Sequence, residues 1–261
     1  MIDIGVNLTN SRFDKDREQV IARAKASGVN ALLITGTNIE ESQQALAFCQ
    51  NGDNFLYSTA GVHPHDADHV STHYLDDIAT LLQQPWVKAV GECGLDFNRN
   101  FSAPQQQQKV FSEQVALAAE YKMPLFLHQR DAFEPWLNTL KPFVGKVPAM
   151  VSHCFTGSAD EVKACFEHGM YIGITGWLCD ERRGQALREA LQHIPLELMM
   201  IETDAPYLTP RTIRPKPKSS RNEPSYLPYI VTMISELTDY TEQQIIQQTE
   251  LNTRNVFSLG N

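Results

Sequence analysis

The sequence predicts a single domain over residues 1–261 with the fold of a (β/α)8 TIM barrel. Three observations predict it: short apolar runs alternate with stretches of helical spacing, eight such runs occur, and 261 residues suit eight strand–helix repeats. Strict alternation of this kind implies a parallel sheet that is buried on both faces. A doubly wound open sheet is the alternative, but eight repeats in a chain of this length favour the closed barrel.

Each predicted strand is a short run rich in Val, Ile, Leu and Thr, the composition expected of a strand with both faces buried. The runs begin every ~20 to 40 residues, roughly the length of one strand, one helix and two short loops. They cover residues 2–8, 31–37, 57–62, 87–91, 125–128, 149–154, 171–175 and 199–203.

The stretches between these runs carry signals for the ends of helices. Residues 38–41, 102–105, 158–161 and 241–244 resemble capping boxes or close variants, which begin helices. Gly28 and Gly169 stand where a helix would end just before the next strand. These signals support the alternation of strands and helices.

The composition excludes several classes of protein. With 42% hydrophobic and 20% charged residues, the chain is neither disordered, fibrous nor membrane-spanning, and no apolar run approaches the ~18 residues of a membrane span. The five cysteines are odd in number and show neither a paired framework nor a Cys-x-x-Cys zinc module. We therefore expect a monomer in a reducing cytoplasm, with no membrane partner.

The net charge of −9 argues against a protein that holds nucleic acid by bulk attraction. One segment differs: residues 211–221 hold five basic side chains and no acidic one, so the rest of the chain carries −14. This basic segment follows the eighth predicted strand, so in a barrel it begins on the face that carries the active site. Pro215 and Pro217 favour an extended conformation, suited to holding a phosphate backbone. A solvated loop is the alternative interpretation.

Acids and imidazoles follow five of the predicted strands. In a barrel the carboxyl ends of the strands meet at one mouth, so three histidine-bearing ends, a glutamate and an aspartate would converge there. The segments are 61–66, 91–96, 127–131, 152–157 and 201–207. One histidine at a strand end is more often structural, but this combination predicts a divalent-metal site that activates water for hydrolysis.

The same segments resemble the motifs of the TatD family of metal-dependent deoxyribonucleases, within the amidohydrolase-like superfamily. The resembling motifs are Gly61-Val62-His63-Pro64-His65, Gly91-Glu92-Cys93-Gly94-Leu95-Asp96, His128-Gln129-Arg130-Asp131-Ala132, Ser152-His153-Cys154-Phe155-Thr156-Gly157 and Glu202-Thr203-Asp204-Ala205-Pro206-Tyr207. The likeness extends over the whole chain, from Asp3-Ile4-Gly5-Val6-Asn7 to Arg221-Asn222-Glu223-Pro224. It implies a Mg²⁺-dependent exonuclease, with Mn²⁺ as an alternative ion, that degrades single-stranded DNA from 3′ to 5′. RNA is a further implied substrate, and DNA repair or degradation the implied role.

The resemblance also assigns roles to individual residues. It implies that Glu92, His128 and His153 are metal ligands and that Asp204 binds the metal or accepts the proton of the attacking water. Glu92 and Asp204 are then the catalytic carboxylates.

The chain departs from the family pattern on its first strand. Most relatives begin with His-x-His, which supplies two ligands of a second metal, whereas Gly5 and Asn7 stand at these positions here. Gly5 has no ligand atom and Asn7 offers only a neutral carbonyl oxygen. Of the one or two ions that the family suggests, we expect one to be held firmly and the second to be weak, substrate-assisted or absent.

Basic side chains near the strand ends are candidates to bind the substrate. Guanidinium groups grip phosphate as bidentate donors, and imidazoles donate to phosphate as well. The candidates are His63, His65, Arg99, Arg130, Arg214, Lys216, Lys218 and Arg221. The alternatives are ion pairs of Arg99 and Arg130 with nearby aspartates, and a role of the two histidines in the turn around Pro64.

Two other functions compete with the nuclease. Related barrels use similar ligands to hydrolyse small amides or esters, so a small-molecule hydrolase is one alternative. A non-catalytic nucleic-acid-binding protein is the other, suggested by Gly5 and Asn7 in place of the two histidines.

Overall fold

The computed structural model of the chain describes residues 1–50 and 54–260. Eight strands form one parallel sheet in which the spatial order follows the chain order. The strands are β1 (Ile2–Val6), β2 (Ala31–Ile34), β3 (Leu56–Ala60), β4 (Val87–Asp96), β5 (Leu125–Arg130), β6 (Met150–Ser152), β7 (Tyr171–Ile174) and β8 (Met199–Ile201). The helices are α1 (Arg17–Ala26), α2 (Ile39–Gln50), α3 (Tyr74–Leu82), α4 (Pro104–Tyr121), α5 (Phe133–Leu140), α6 (Ala159–Glu167), α7 (Gln185–Leu191), α8 (Leu227–Leu237) and α9 (Glu242–Phe257).

The contacts within the chain divide it into two compact units. The first unit comprises Met1–Ile34, Cys154–Phe166 and the described residues from Tyr171 onward. The second unit comprises Thr35–His153 and Glu167–Met170. The first unit therefore holds β1, β2, β7 and β8, and the second holds β3 to β6.

In the first unit, β1 pairs with β2 and β7 pairs with β8, all in parallel. The chain that follows β8 continues alongside β1. The amide of Asp204 donates to the carbonyl oxygen of Gly5, and that of Asn7 to the carbonyl oxygen of Ala205, each over 2.8 Å. Every residue of β1, β2 and β8 is buried. Burial on both faces explains why apolar residues predominate in these three strands.

In the second unit, β3 to β6 pair in parallel in chain order. The strand β4 extends to Asp96, five residues beyond the predicted end of its run at Gly91. A Cβ atom on Gly91 would overlap the carbonyl oxygen of Phe126, and one on Gly94 would overlap that of His128. The two glycines thus let β4 approach β5 closely and keep pairing as far as Asp96.

Most of the predicted helix ends are confirmed. The side chain of Asn38 accepts a hydrogen bond from the backbone of Glu41 over 2.9 Å at the start of α2. Capping bonds also join Ser158 to Glu161 at the start of α6, and Thr241 forms the predicted capping box of α9.

The predicted cap at residues 102–105 is wrong. The residue that precedes α4 is Ala103, whose side chain makes no capping bond. The hydroxyl of Ser102 donates to the carbonyl oxygen of His65 over 2.8 Å and accepts from the amide of Asp68 over 3.0 Å. Ser102 therefore ties α4 to the turn after β3 instead of beginning the helix.

Two further observations concern the cysteines and the apolar character of the helices. All five cysteines carry free thiols. Among residues 1–50 and 54–260, no helix has the length and apolar character that crossing a membrane requires.

Candidate metal centre

Three imidazoles of the second unit surround one carboxylate oxygen, Oε1 of Glu92. This oxygen lies 2.8 Å from Nδ1 of His128 and 3.4 Å from Nε2 of both His63 and His153. The Glu92 residue is only 5% exposed. The structure thus brings together three of the predicted ligands, Glu92, His128 and His153, and adds His63 to them.

Backbone hydrogen bonds fix the ends of the strands that carry these side chains. Glu92 lies within β4 and His128 within β5, while His63 and His153 follow β3 and β6. The amide of Glu92 donates to the carbonyl oxygen of Gly36 over 2.7 Å. The amides of His63 and His153 donate to the carbonyl oxygens of Thr37 and Leu127 over 2.7 Å and 2.9 Å. The backbones of Glu92, His63 and His153 are therefore each held in place by a neighbouring segment of the same unit.

The surroundings of Glu92 favour its charged form. Burial by itself would raise the pKa of this carboxyl group. Electrostatic interaction with the imidazoles of His153 and His63 and the hydrogen bonds from His128 and His153 outweigh burial and hold the pKa well below its usual value. Glu92 is therefore a buried carboxylate anion at neutral pH, which is the state that a cation requires of its ligand.

Asp96 is a second buried carboxylate of this cluster, and the sequence analysis did not select it. Its Oδ2 lies 2.7 Å from Nε2 of His65 and 3.8 Å from Nε2 of His128, and its Oδ1 accepts from the amides of Asn98 and Arg99. Burial opposes ionisation of Asp96, but the nearby His128 imidazole and the hydrogen bonds from His65 and the backbone keep its pKa below the usual range. Its spacing from Glu92 was the available signal, because residues i and i+4 of a strand face the same side.

The donor set fits a divalent cation. Ligand atoms of His63, Glu92 and His128 all lie within 4.8 Å of one another. The Nε2 atom of His128 is buried and makes no hydrogen bond to any residue that the structure describes. A buried nitrogen without a partner is costly in an apolar setting, and a metal ion would satisfy it. Imidazole nitrogen combined with carboxylate oxygen is a common ligand set for divalent metals in hydrolases.

Two buried glutamines of α4 hold the strand ends beside this centre. The side chain of Gln114 accepts from the amide of Val62 over 2.8 Å and donates to its carbonyl oxygen over 3.0 Å. Gln107 binds the amide and carbonyl of Asp96 in the same way, over 2.9 Å and 3.2 Å. One helix thus fixes the backbone next to His63 and at Asp96.

Asp204, the fourth predicted ligand, belongs to the first unit, where it follows β8. Its Oδ1 accepts a hydrogen bond from Nδ2 of Asn7 over 3.0 Å. The same Nδ2 lies 3.4 Å from the carbonyl oxygen of Ala205. Asn7, where the family resemblance led us to expect a histidine, therefore supplies an amide that binds the Asp204 carboxylate.

The candidate substrate-binding side chains fall into two sets. In the second unit, His65 is bound to Asp96, Arg99 is exposed just beyond β4, and Arg130 ends β5 and is partly exposed. In the first unit, Arg214, Lys216 and Lys218 are all exposed on the basic segment between β8 and α8.

Arg221, at the end of the basic segment, is held by other residues of the first unit. Its guanidinium binds both carboxylate oxygens of Asp16, over 2.7 Å and 2.8 Å, and Oε1 of Glu223 over 2.8 Å. It also lies over the ring of Phe13, 5.1 Å from the ring centre, and its side chain is 18% exposed. These contacts make Arg221 an anchor for the end of the segment.

Comparison with known proteins extends over the whole chain. The sequence model of the TatD related DNase family matches residues 2–258. Among curated proteins, the chain is 52% identical over 260 residues to the 3′-5′ ssDNA/RNA exonuclease TatD of Pectobacterium carotovorum, covering 100% of both chains. It is 53% identical over 259 residues to the protein of the same name in Salmonella typhimurium, covering 99% of both.

Solved structures show the same fold. A TatD homologue from Escherichia coli superimposes with a TM-score of 0.90 at 27% identity, over 100% of this chain and 98% of the other. A TatD family hydrolase from Entamoeba histolytica gives a TM-score of 0.89 at 26% identity, with the same coverage. The predicted (β/α)8 barrel and the predicted resemblance are both confirmed. With the family's sequence model spanning almost every residue and relatives this similar over their full length, the chain belongs to the TatD related DNase family.

Proposed function

We propose that the protein is a metal-dependent exonuclease that removes nucleotides from the 3′ end of single-stranded DNA, and of RNA as a further substrate. One structural observation carries the chemical part: a buried, charged Glu92 oxygen in contact with three imidazoles. The substrate and the direction of digestion rest on the names of relatives at 52% and 53% identity.

The residues that would hold the ion are Glu92 and His128, together with His153 as predicted and His63 from the observed cluster. A divalent cation bound there would polarise the phosphodiester and lower the pKa of a bound water. Glu92 supplies the negative charge, while Asp96 orients the rings of His65 and His128. We propose Mg²⁺ as the ion, with Mn²⁺ as an alternative.

Asp204 is the proposed acceptor of the proton that the attacking water loses. Its Oδ1 accepts a hydrogen bond from Asn7, which orients the carboxylate. An Asp204→Asn variant should keep its fold and its metal affinity while losing turnover.

We also propose that Asn7, which lacks an imidazole, restricts the protein to one firmly held ion.

Basic side chains hold the strand in this proposal. Arg99, Arg130 and the exposed cations of the basic segment contact phosphates, while the −9 net charge of the whole chain opposes indiscriminate binding. Because Arg221 binds Asp16 and Glu223, we assign it to anchoring the basic segment and not to contacting phosphate. The free thiols of all five cysteines agree with the proposed cytoplasmic location.

The test is the digestion of single-stranded oligonucleotides that carry a label at either the 3′ or the 5′ end. With Mg²⁺ we expect 5′-mononucleotides to appear, the 3′ label to be released first, and a chelator to stop the reaction. A folded protein that releases nucleotides equally well with chelator, or releases none with Mg²⁺ or Mn²⁺, would contradict the proposal.

A further inference from the structure

A cavity of about 190 Å³ lies within the first unit, between the turn that follows β7 and the two ends of the basic segment. Its lining includes Trp177, Asp180, Arg183 and Arg211. None of these residues has a role in the metal centre described above. The cavity combines an aromatic ring with two guanidinium groups, which is the chemistry that binds single-stranded nucleic acid.

One buried carboxylate arranges the two arginines. Oδ2 of Asp180 lies 2.9 Å from Nε of Arg183 and 3.3 Å from Nε of Arg211, and the Asp180 side chain is 4% exposed. Burial opposes the ionisation of Asp180, but its bonds to Arg182 and Arg183 and the charge of Arg211 lower its pKa to about 2. The carboxylate is therefore charged near neutral pH. Its single negative charge offsets only one of the positive charges of Arg182, Arg183 and Arg211.

Both arginines contact Asp180 through Nε alone. Within the described part of the chain, their terminal nitrogens have no hydrogen-bond partner, and their side chains are 53% and 54% exposed. The guanidinium carbon of Arg183 lies over the Trp177 ring, 4.3 Å from the ring centre, a distance at which the cation and the ring attract each other. Two guanidinium groups held in place by their inner nitrogens, with the outer nitrogens available, form a ready site for a phosphate.

The cavity is continuous with the basic segment. The hydroxyl of Thr209 donates to the carbonyl oxygen of Ser220 over 2.8 Å and so joins the two ends of the segment. Thr209, Arg211 and Ser220 all line the cavity. The pocket therefore lies at the base of the segment that carries Lys216 and Lys218.

We propose that the pocket formed by Trp177, Arg183 and Arg211 binds an internucleotide phosphate of the single-stranded substrate, away from the bond that is cleaved. This inference rests on the proposed function, because it takes the substrate to be a nucleic-acid strand. Arg183 and Arg211 provide the charge, Asp180 orients both, and Trp177 supports Arg183. The pocket is a site for holding the strand and takes no part in the chemical step.

The test compares Arg183→Gln and Arg211→Gln with Arg182→Gln, which removes the same charge from a residue that binds Asp180 but does not line the cavity. The probe is a fluorescent oligothymidylate with a hydrolysis-resistant 3′ linkage, titrated in Mg²⁺ at several salt concentrations. We expect each pocket variant to weaken binding about tenfold and to reduce the salt slope by about 0.7. Arg182→Gln should change the affinity less than about twofold. Arg183→Lys keeps the charge but loses the planar group, so it should recover only part of the affinity.

Equal losses in Arg182→Gln and Arg183→Gln would show a bulk charge effect and overturn the inference, as would unchanged affinity in both pocket variants. Inorganic phosphate that binds the wild type through Arg183 without displacing the oligonucleotide would assign the pocket to free phosphate and would also overturn it. Thermal unfolding of every variant controls for misfolding. If the wild type neither binds nor shortens the oligonucleotide, the proposed function itself fails, an outcome separate from failure of the pocket variants alone.

Discussion

The carboxyl group of Asp3 is completely buried on β1, within the first unit. It accepts hydrogen bonds from the amides of Gly5 and Thr203, and from the hydroxyl of Thr203 over 2.5 Å. Burial raises the pKa of Asp3 from 3.8 to about 7, although these bonds oppose the rise. Asp3 therefore couples the stability of this unit to pH.

An Asp3→Asn variant should lose this coupling. Between about pH 4 and pH 7 the folded protein holds a proton that the unfolded chain has lost, so the free energy of unfolding falls as pH rises. The destabilisation of Asp3→Asn relative to the wild type should thus be larger at pH 5 than at pH 8, by up to about 3 kcal/mol. Urea unfolding of both proteins at pH 5 and at pH 8 measures this difference in destabilisation. A difference in stability that stays the same at both would show that Asp3 does not titrate in this range.

The sequence located some residues of the metal centre better than others. The family resemblance implied Glu92, His128 and His153 as ligands, and each also stands at the end of an apolar run, where parallel strands bring side chains together. His63 was predicted to donate to phosphate, with a role in the turn around Pro64 as the alternative, and not to join the metal ligands. Asp96 was not selected because the predicted run stops at Gly91, and only the close approach of β5 shows that β4 continues.

At the scale of elements, α4 determines where two strands end. Gln107 is one of four consecutive glutamines, residues 105–108, yet it is buried while its neighbour Gln108 is exposed. No local pattern in a run of identical residues distinguishes the one that binds Asp96. The sequence predicted the helix from its spacing, but its role in supporting the site depends on tertiary contacts.

Gln114→Leu should weaken both the fold and the metal centre. It leaves the amide and carbonyl groups of Val62 without partners in a buried environment, which should lower the free energy of unfolding by about 2 to 4 kcal/mol. Because Val62 precedes His63, we expect Mn²⁺ affinity to fall at least tenfold, as for other residues that support metal ligands. Urea unfolding and calorimetric titration measure the two effects. Gln108→Leu on the same helix is the matched control, and equal behaviour of the two variants would refute the role given to Gln114.

At the scale of the whole molecule, charge is distributed unevenly along the chain. The net charge of −9 combines a segment of five cations with a remainder of −14. This uneven distribution of charge can be found from the sequence alone, because only the charged residues need to be counted. The predictions of one domain, of a monomer and of a cytoplasmic location stay predictions, since they depend on properties that local patterns do not determine.

Replacement of Arg214, Lys216 and Lys218 by Gln should impair the digestion of single strands. Because each lost phosphate contact lowers the salt slope by about 0.7, the logarithm of affinity should become less salt-dependent by about 2. Hydrolysis of a small ester or amide, if the protein supported it, would change little. The measurement is the KM for an oligonucleotide at several salt concentrations. An unchanged KM would favour the small-molecule hydrolase over the nuclease.

The fold was predictable because its signal repeats eight times along the chain, so an error in one element did not change the conclusion. The centre around Glu92 was predictable only in part, because the pairing of β4 with β5 determines which further residues lie beside Glu92.

The most direct measurement is the calorimetric titration of Mn²⁺ into the wild type, Glu92→Gln and Glu113→Gln. Glu113 lies in the second unit on α4, where it binds the hydroxyl of Tyr74, so its replacement controls for the loss of one carboxylate. We expect Glu92→Gln to lose at least about 100-fold in affinity, more than a supporting residue would cost, and to lose nuclease activity in parallel. Glu113→Gln should bind as the wild type does. Wild-type affinity and activity in Glu92→Gln would contradict the assignment of the metal centre.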